Sequence, residues 1–81
     1  MTTARVILTV PALGLAMAQD LADRFDNDFR IDPLAVTINE TDERQCLWET
    51  VVYFASDADA EEAQQLLHLP SAIISALPDT D

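Results

Sequence analysis

Most residues of this chain that could do chemistry are carboxylates. Fifteen Asp and Glu oppose four Arg and no Lys, so the formal net charge is −11 at pH 7. The run that starts at Asp57 places acids at alternate positions, as calcium loops do, but a calcium loop requires Gly at its sixth position and Glu at its twelfth. Those positions hold Glu62 and His68, and the run that starts at Asp26 has Ile31 at its sixth. We therefore predict no metal site and expect these acids to cap and solvate helices.

The single histidine and the single cysteine lack the neighbours that would make them reactive. His68 is expected at the C-terminal end of a helix, where a cation is favourable, and no Ser, Cys or carboxylate pattern marks it as a catalytic base. Cys46 is predicted to begin a strand and to pack as a small hydrophobic residue, because acid-rich surroundings do not favour a thiolate. No catalytic residue is predicted. One cysteine also excludes an internal disulfide and indicates a reducing, cytoplasmic setting.

The charge balance excludes several classes of partner. Binding to nucleic acid or to an anionic membrane surface requires clustered cations, and the four Arg are scattered along the chain. Gly14 is the only glycine, so the chain cannot form a glycine-rich phosphate loop, and no cofactor is predicted to bind it. No apolar run approaches the ~20 residues of a transmembrane helix, so a soluble protein is expected. The acidic surface is compatible with a basic protein partner, or it only keeps a small domain in solution.

The first part of the chain predicts a strand followed by a helix. Residues 4–10 are rich in β-branched side chains and predict a strand that ends at Pro11. From Pro11 to about Phe29 the hydrophobic period changes to that of a helix. Its predicted buried stripe recurs every four residues and consists of Leu13, Met17, Leu21, Phe25 and Phe29. Gly14 falls inside this helix and is predicted to mark a close packing contact.

The second part predicts a hairpin, a helix and a last strand. Strands are expected at residues 34–40 and 46–55, joined by a polar loop. Ser56 offers an N-cap for an acidic helix that stops before Pro70. Residues 71–77 favour a strand, with continued helix as the alternative.

The order of these elements predicts the fold. Two strand–helix–strand units with right-handed crossovers give an α+β, ferredoxin-like βαββαβ sandwich. Two helices cover one face of a four-stranded antiparallel sheet, the first and third strands are adjacent, and the other face is left open. Residues 1–81 are expected to form a single domain of this kind.

The strand at residues 46–55 carries the chain's only Trp and its only Tyr. Trp48, Val52 and Phe54 share one face of it and are predicted to meet the helices and pack in the core. The opposite face, together with the adjacent first strand, forms a candidate partner-binding surface. Its predicted contact residues are Arg5, Ile7, Glu49, Val51 and Tyr53.

This open face has other interpretations. One alternative is that it is ordinary half-exposed surface, and another is that a further domain of a longer chain covers it. RNA-binding modules stack bases on aromatic residues of such a face, but only Tyr53 is predicted there, and the charge is strongly negative. Arg5 and Glu49 are expected to pair with each other across the two strands.

Four stretches form a pattern that spans most of the chain: "MTTARVILTVP", "DPLAVTINETDE", "LWETVVYF" and "SALPDTD". This pattern resembles the N-terminal domain of the ribosomal protein L-eleven methyltransferases, in their alphaproteobacterial form. Its most specific parts are the spacing of Trp48, Tyr53 and Phe54 in one strand and the terminal run from Leu77 to Asp81. None of these is a catalytic motif.

The resemblance implies a substrate-recognition domain with a ferredoxin-like fold. The full enzyme would transfer methyl groups from S-adenosylmethionine to lysine side chains and to the N-terminal amine of a basic large-subunit ribosomal protein. Its cofactor loop and reaction-site motif would lie in a C-terminal Rossmann-like domain, and nothing in this chain matches them. The chain is therefore expected to be a non-catalytic fragment that works beside its own catalytic domain. The alternative is a stand-alone acidic ferredoxin-like module for interaction or oligomerisation.

Overall fold

The computed structural model describes residues 4–28 and 30–77. The elements in chain order are β1 (Val6–Leu13), α1 (Leu15–Asn27), β2 (Ala35–Asp42), β3 (Leu47–Phe54), α2 (Asp57–Leu66) and β4 (Ile73–Ala76). Two predictions fall on positions outside the described residues. One is the place of Phe29 in the helix stripe, and the other is the part of the family resemblance that rests on the run after Leu77.

The strands pair antiparallel in the order β2-β3-β1-β4, so the first and third strands are the central pair, as predicted. Helix α1 packs on β2 and β3, and α2 packs mainly on β1 and β4. Both helices contribute buried residues to one cluster with the same sheet face. The prediction of an α+β, ferredoxin-like arrangement is confirmed.

The core lies between the two helices and that sheet face. Its buried residues are Val6, Leu8, Val10, Leu21, Phe25, Ile31, Val52, Phe54, Ala60 and Ala63. Phe25 of α1 meets Phe54 of β3 edge to face, with ring centroids 6.4 Å apart and an interplanar angle of 67°. Such aromatic pairs add about 0.5–1.5 kcal/mol to the burial of their apolar area. The predicted core positions of Val52 and Phe54 are confirmed.

The first strand runs further than predicted, and the first helix starts later. Pro11 lies inside β1, and α1 begins at Leu15. The pairing register shifts between Val10 and Leu13, so that three residue steps of β1 oppose two of β3. Ala12 has a φ of 59° and provides the extra, left-handed residue of this bulge. The ladder is interrupted at a bulge, so the missing N–H of a proline costs little there.

The buried face of α1 is also rotated away from the predicted stripe. Its buried residues are Ala18, Leu21, Ala22 and Phe25. Leu13 belongs to β1 and Met17 is 62% exposed, so the predicted helical burial of these two residues is wrong. Gly14 is the N-cap of α1, and no atom lies within 4 Å of the place that a Cβ would take. The predicted close packing at Gly14 is therefore wrong as well.

The β2–β3 hairpin leaves two residues in environments that differ from the prediction. Cys46 is exposed in the turn with a φ of 55°, because β3 begins one residue later. The Asp42 carboxylate shapes this turn by accepting hydrogen bonds from the amides of Arg44 and Gln45 at 3.0 and 3.2 Å. Trp48 is half-buried rather than core, because it lies near the end of its strand.

The second helix and the last strand follow the prediction closely. The Ser56 Oγ accepts a hydrogen bond from the Asp59 amide at 3.3 Å, so Ser56 is the N-cap of α2. Residues 73–76 pair with β1, so the strand interpretation holds over continued helix. Leu34, predicted as the first residue of the second strand, precedes β2 and is 42% exposed.

Candidate functional site

The open sheet face brings together three of the five predicted partner-binding residues. Ile7 pairs with Tyr53 across β1 and β3, and Val51 lies on the same face one pair further along. Val51 is only 6% exposed, because Thr9 and Thr37 flank it on the neighbouring strands. Ile7 and Tyr53 are half-buried. The centre of this face is therefore closed by its own side chains and offers little accessible apolar surface.

The other two predicted residues, Arg5 and Glu49, lie at opposite ends of that face. The Arg5 amide donates to the carbonyl of Phe54 at 2.9 Å, which places Arg5 beside the end of β3. Glu49 is five residues back along β3, a separation of roughly 17 Å at 3.4 Å per residue. The predicted pairing of Arg5 with Glu49 is wrong.

A groove opens instead on the helix-covered side of the molecule, and we call it the helix-side groove. It lies between α1 and the connection from α2 to β4, and its volume is about 270 Å³. Its apolar lining comes from β1, α1 and that connection, and it consists of Val10, Leu13, Met17, Leu21, Leu69 and Pro70. Asp20, Arg24 and His68 supply its polar groups.

The bulge of β1 builds one wall of this groove. Because Ala12 takes up the extra residue, Leu13 pairs with Trp48 and packs against the core. Gly14 then starts α1 in an extended conformation, with φ −72° and ψ 159°. The chain thus turns sharply from strand to helix beside the groove.

The connection after α2 builds the opposite wall. The amides of His68 and Leu69 donate to the carbonyls of Gln65 and Gln64 at 3.3 and 3.1 Å. This is the Schellman pattern of helix termination, and His68 occupies its left-handed position with a φ of 53°. Histidine adopts this conformation more readily than most residues.

The side chain of Gln64 also forms hydrogen bonds to the connection between α2 and β4. Its Nε2 donates to the carbonyl of Leu69 at 2.9 Å and to that of Ala72 at 3.3 Å. Together with a bond from the Ala72 amide to the Leu69 carbonyl at 3.1 Å, these hydrogen bonds fix the wall that carries Leu69 and Pro70.

The rim of the groove is apolar on one side and charged on the other. Met17 lines it while remaining 62% exposed, and its neighbour Leu15, 42% exposed, lies in the same helical turn. Asp20 and Arg24 form an (i, i+4) ion pair at 3.3 Å, with both side chains largely exposed. Such an exposed pair contributes little to stability, so both groups can exchange partners at low cost.

A larger and more open hollow beyond Arg24 is lined in part by Arg30, Asn27 and Leu67. Here the Arg30 guanidinium and then the Arg30 amide donate hydrogen bonds to the Asp28 carboxylate, and they lower the pKa of Asp28 from 3.8 to about 2. The same contact raises the pKa of Arg30. Arg30 is therefore committed to Asp28 and is a poor group for binding an anion.

Within residues 4–28 and 30–77, no group of three His, Cys, Asp or Glu side chains is placed to hold a metal ion. Neither α1 nor α2 is long and apolar enough to cross a membrane.

The sequence prediction missed the helix-side groove because its residues fit a core. Leu13, Met17 and Leu21 have the spacing of a helix stripe, which hides the fact that one lies in a strand and another is exposed. Pro11 followed by Gly14 is the available signal, since a proline and a glycine three residues apart are typical of a bend between elements.

Comparison with known proteins does not place the chain in a family. No protein-family model, no curated protein and no solved structure matches the chain.

Proposed function

We propose that this chain is the substrate-recognition domain of an S-adenosylmethionine-dependent methyltransferase. In this proposal the parent enzyme modifies lysine side chains and the N-terminal amine of the large-subunit ribosomal protein L-eleven in the cytoplasm. The observation that carries the proposal is the strand pattern of Trp48, Tyr53 and Phe54 on a central strand of a ferredoxin-like sheet. The resemblance of the sequence to that family implies a ferredoxin-like fold, which is the fold of this chain.

The charge of the chain supports a basic protein as the partner. Fifteen carboxylates against four arginines attract a Lys-rich surface and accelerate its encounter with the domain. The acids are exposed along α2, where Asp57, Asp59, Glu61 and Glu62 follow one another closely, and a basic partner can reach them.

The proposed mechanism is tethering. The domain holds the ribosomal protein while a separate catalytic domain, which binds the methyl donor, reaches several amines in turn. Holding the substrate nearby raises the effective concentration of each amine at the reaction site, in the millimolar range for a short flexible linker. This chain contributes binding, and the methyl donor and the catalytic groups belong to the partner domain.

The proposal is tested by binding the purified ribosomal protein L-eleven to the 81-residue chain. Trp48 is half-buried and is the only Trp, so its fluorescence is a suitable probe. We expect binding that weakens as salt rises, because screening reduces the attraction between opposite charges. S-adenosylmethionine added alone should give no heat in calorimetry.

A basic protein of similar size from outside the ribosome serves as the control. Equal binding of that control would show only a general acidic surface, and it would favour the stand-alone interaction module. Failure of L-eleven to bind at low salt would refute the proposal.

A further inference from the structure

We propose that the helix-side groove is the place where a basic protein partner inserts a single large apolar side chain. The inference rests on the proposed function, since it says where on this domain the basic ribosomal substrate is held. It departs from the sequence-based prediction, which placed partner contacts on the open sheet face.

The size of the groove selects the kind of occupant. Pockets for drug-sized ligands and cofactors span ~300–1,000 Å³ and enclose most of the ligand. At about 270 Å³ the helix-side groove lies just below that range, and it has room for one large side chain. Its lining is mainly apolar, with Leu13, Met17 and Leu69 from three separate segments around it. Protein interfaces draw most of their binding energy from such anchor pockets.

The two walls are already in place before a partner arrives. One is defined by the bulge at Ala12, and the other by the Schellman turn at His68 and the Gln64 hydrogen bonds. Two of the three left-handed non-glycine residues among those described thus flank this one groove. Residues held in this uncommon conformation concentrate at ligand-binding sites. A preformed pocket also avoids the entropic cost of ordering a loop upon binding.

The charges around the groove favour a basic segment next to the apolar anchor. Asp20 lines the groove, and Asp23 is exposed three residues further along α1. Asp20 forms an ion pair with Arg24, and a Lys or Arg of the partner can take the place of Arg24 beside the Asp20 carboxylate. A second copy of this chain is a poor occupant, because two molecules with a net charge of −11 repel each other.

The test compares two exposed apolar residues in the same turn of α1. Met17→Gln alters the groove lining, whereas Leu15→Gln makes a similar change outside the lining. Binding of purified L-eleven is measured for both variants, together with thermal unfolding to show that both are folded. We expect Met17→Gln to weaken binding at least about tenfold, as removal of an anchor contact does, and Leu15→Gln to weaken it less than about twofold.

Two further variants test the charge and the rival surface. Asp20→Asn should weaken binding and flatten its salt dependence more than Glu62→Gln, which removes a charge from α2 away from the groove. Tyr53→Ser on the open sheet face should leave the affinity unchanged.

The outcomes separate the inference from the proposed function. If L-eleven binds and Met17→Gln leaves its affinity unchanged, the groove assignment is overturned while the recognition function stands. If Tyr53→Ser weakens binding and Met17→Gln does not, the partner binds on the sheet face. If the unaltered chain does not bind L-eleven at all, both proposals fall.

Discussion

Thr50 shows how a single polar group is accommodated in this core. Among the described residues it is the only buried polar side chain, and its accessibility is 0%. Its hydroxyl donates to the carbonyl of Ala18 in α1 at 2.9 Å, so it links the sheet to the helix. An unpaired hydroxyl in such a place would cost about 1–3 kcal/mol, and this contact removes that penalty.

We therefore expect Thr50→Val to lower the free energy of unfolding by about 1–2 kcal/mol. The variant loses a buried hydrogen bond and brings a methyl group against a carbonyl oxygen. Thr37→Val is the matched control, because Thr37 is exposed and its contact to the Val51 carbonyl is long, at 3.5 Å. Urea unfolding measures both variants. Equal effects at the two positions would contradict the role assigned to the Thr50 hydroxyl.

Residue environments along β3 were predictable except at the end of the strand that adjoins the hairpin turn. Alternation by two residues correctly assigned Val52 and Phe54 to the core, because a strand face is set by backbone geometry alone. Cys46 and Trp48 lie where β3 meets the hairpin turn. Burial there depends on which residues belong to the turn and which to the strand. The turn that Asp42 stabilises leaves Cys46 outside the strand, and the alternation of polar and apolar residues does not predict this.

At the scale of elements, the two helices begin in chemically different ways. Helix α2 has Ser56 as a side-chain cap and acids in its first turn, so its start was evident from the sequence. Helix α1 begins at Leu15 after its N-cap Gly14, with no side-chain cap and no acid in its first turn. The missing signal explains why the start of α1 was placed four residues early, at Pro11, a residue that equally suits a first helical turn.

The uncapped start of α1 leads to a prediction of increased stability. The φ of Gly14 is −72°, a value open to every residue, and nothing lies within 4 Å of an added Cβ. Gly14→Asp should therefore raise the free energy of unfolding by about 0.5–1 kcal/mol. The carboxylate caps free amides, interacts favourably with the helix dipole and restricts the unfolded chain.

Gly14→Ala separates these contributions, since alanine restricts the unfolded chain but cannot cap. Its stabilisation should be smaller than that of Gly14→Asp in thermal or urea unfolding. A loss of stability in both variants would show that the glycine is required at this position.

At the scale of the whole molecule, the topology was predictable and the helix-side groove was not. The element order and the handedness of the crossovers leave few arrangements, so the strand order β2-β3-β1-β4 follows from local patterns. The groove arises where the β1 bulge, the start of α1 and the turn after α2 meet. Residues as far apart in the chain as Leu13 and Leu69 line it together, and no local pattern records that proximity.

The net charge of −11 leads to the last prediction, that salt stabilises this fold. Two ion pairs lie within the described residues, Asp20–Arg24 and Asp28–Arg30. Their side chains are exposed to different degrees. The Asp20–Arg24 pair contributes little to stability because both of its partners are largely exposed. Repulsion among the remaining carboxylates should dominate. Raising NaCl from about 10 mM to about 150 mM shortens the Debye length from ~30 Å to ~8 Å, so the urea midpoint at pH 7 should rise.

A double variant, Glu61→Gln with Glu62→Gln, provides the control for this effect. Both residues are exposed on α2, and their removal takes away two of the fifteen carboxylates without touching the core. The variant should be more stable than the unaltered chain at low salt and should gain less from added NaCl. A urea midpoint that falls with salt would instead mean that attraction within the ion pairs outweighs the repulsion. In that case the ion pairs within the chain offset the repulsion among its carboxylates, and the fold needs no basic partner to do so.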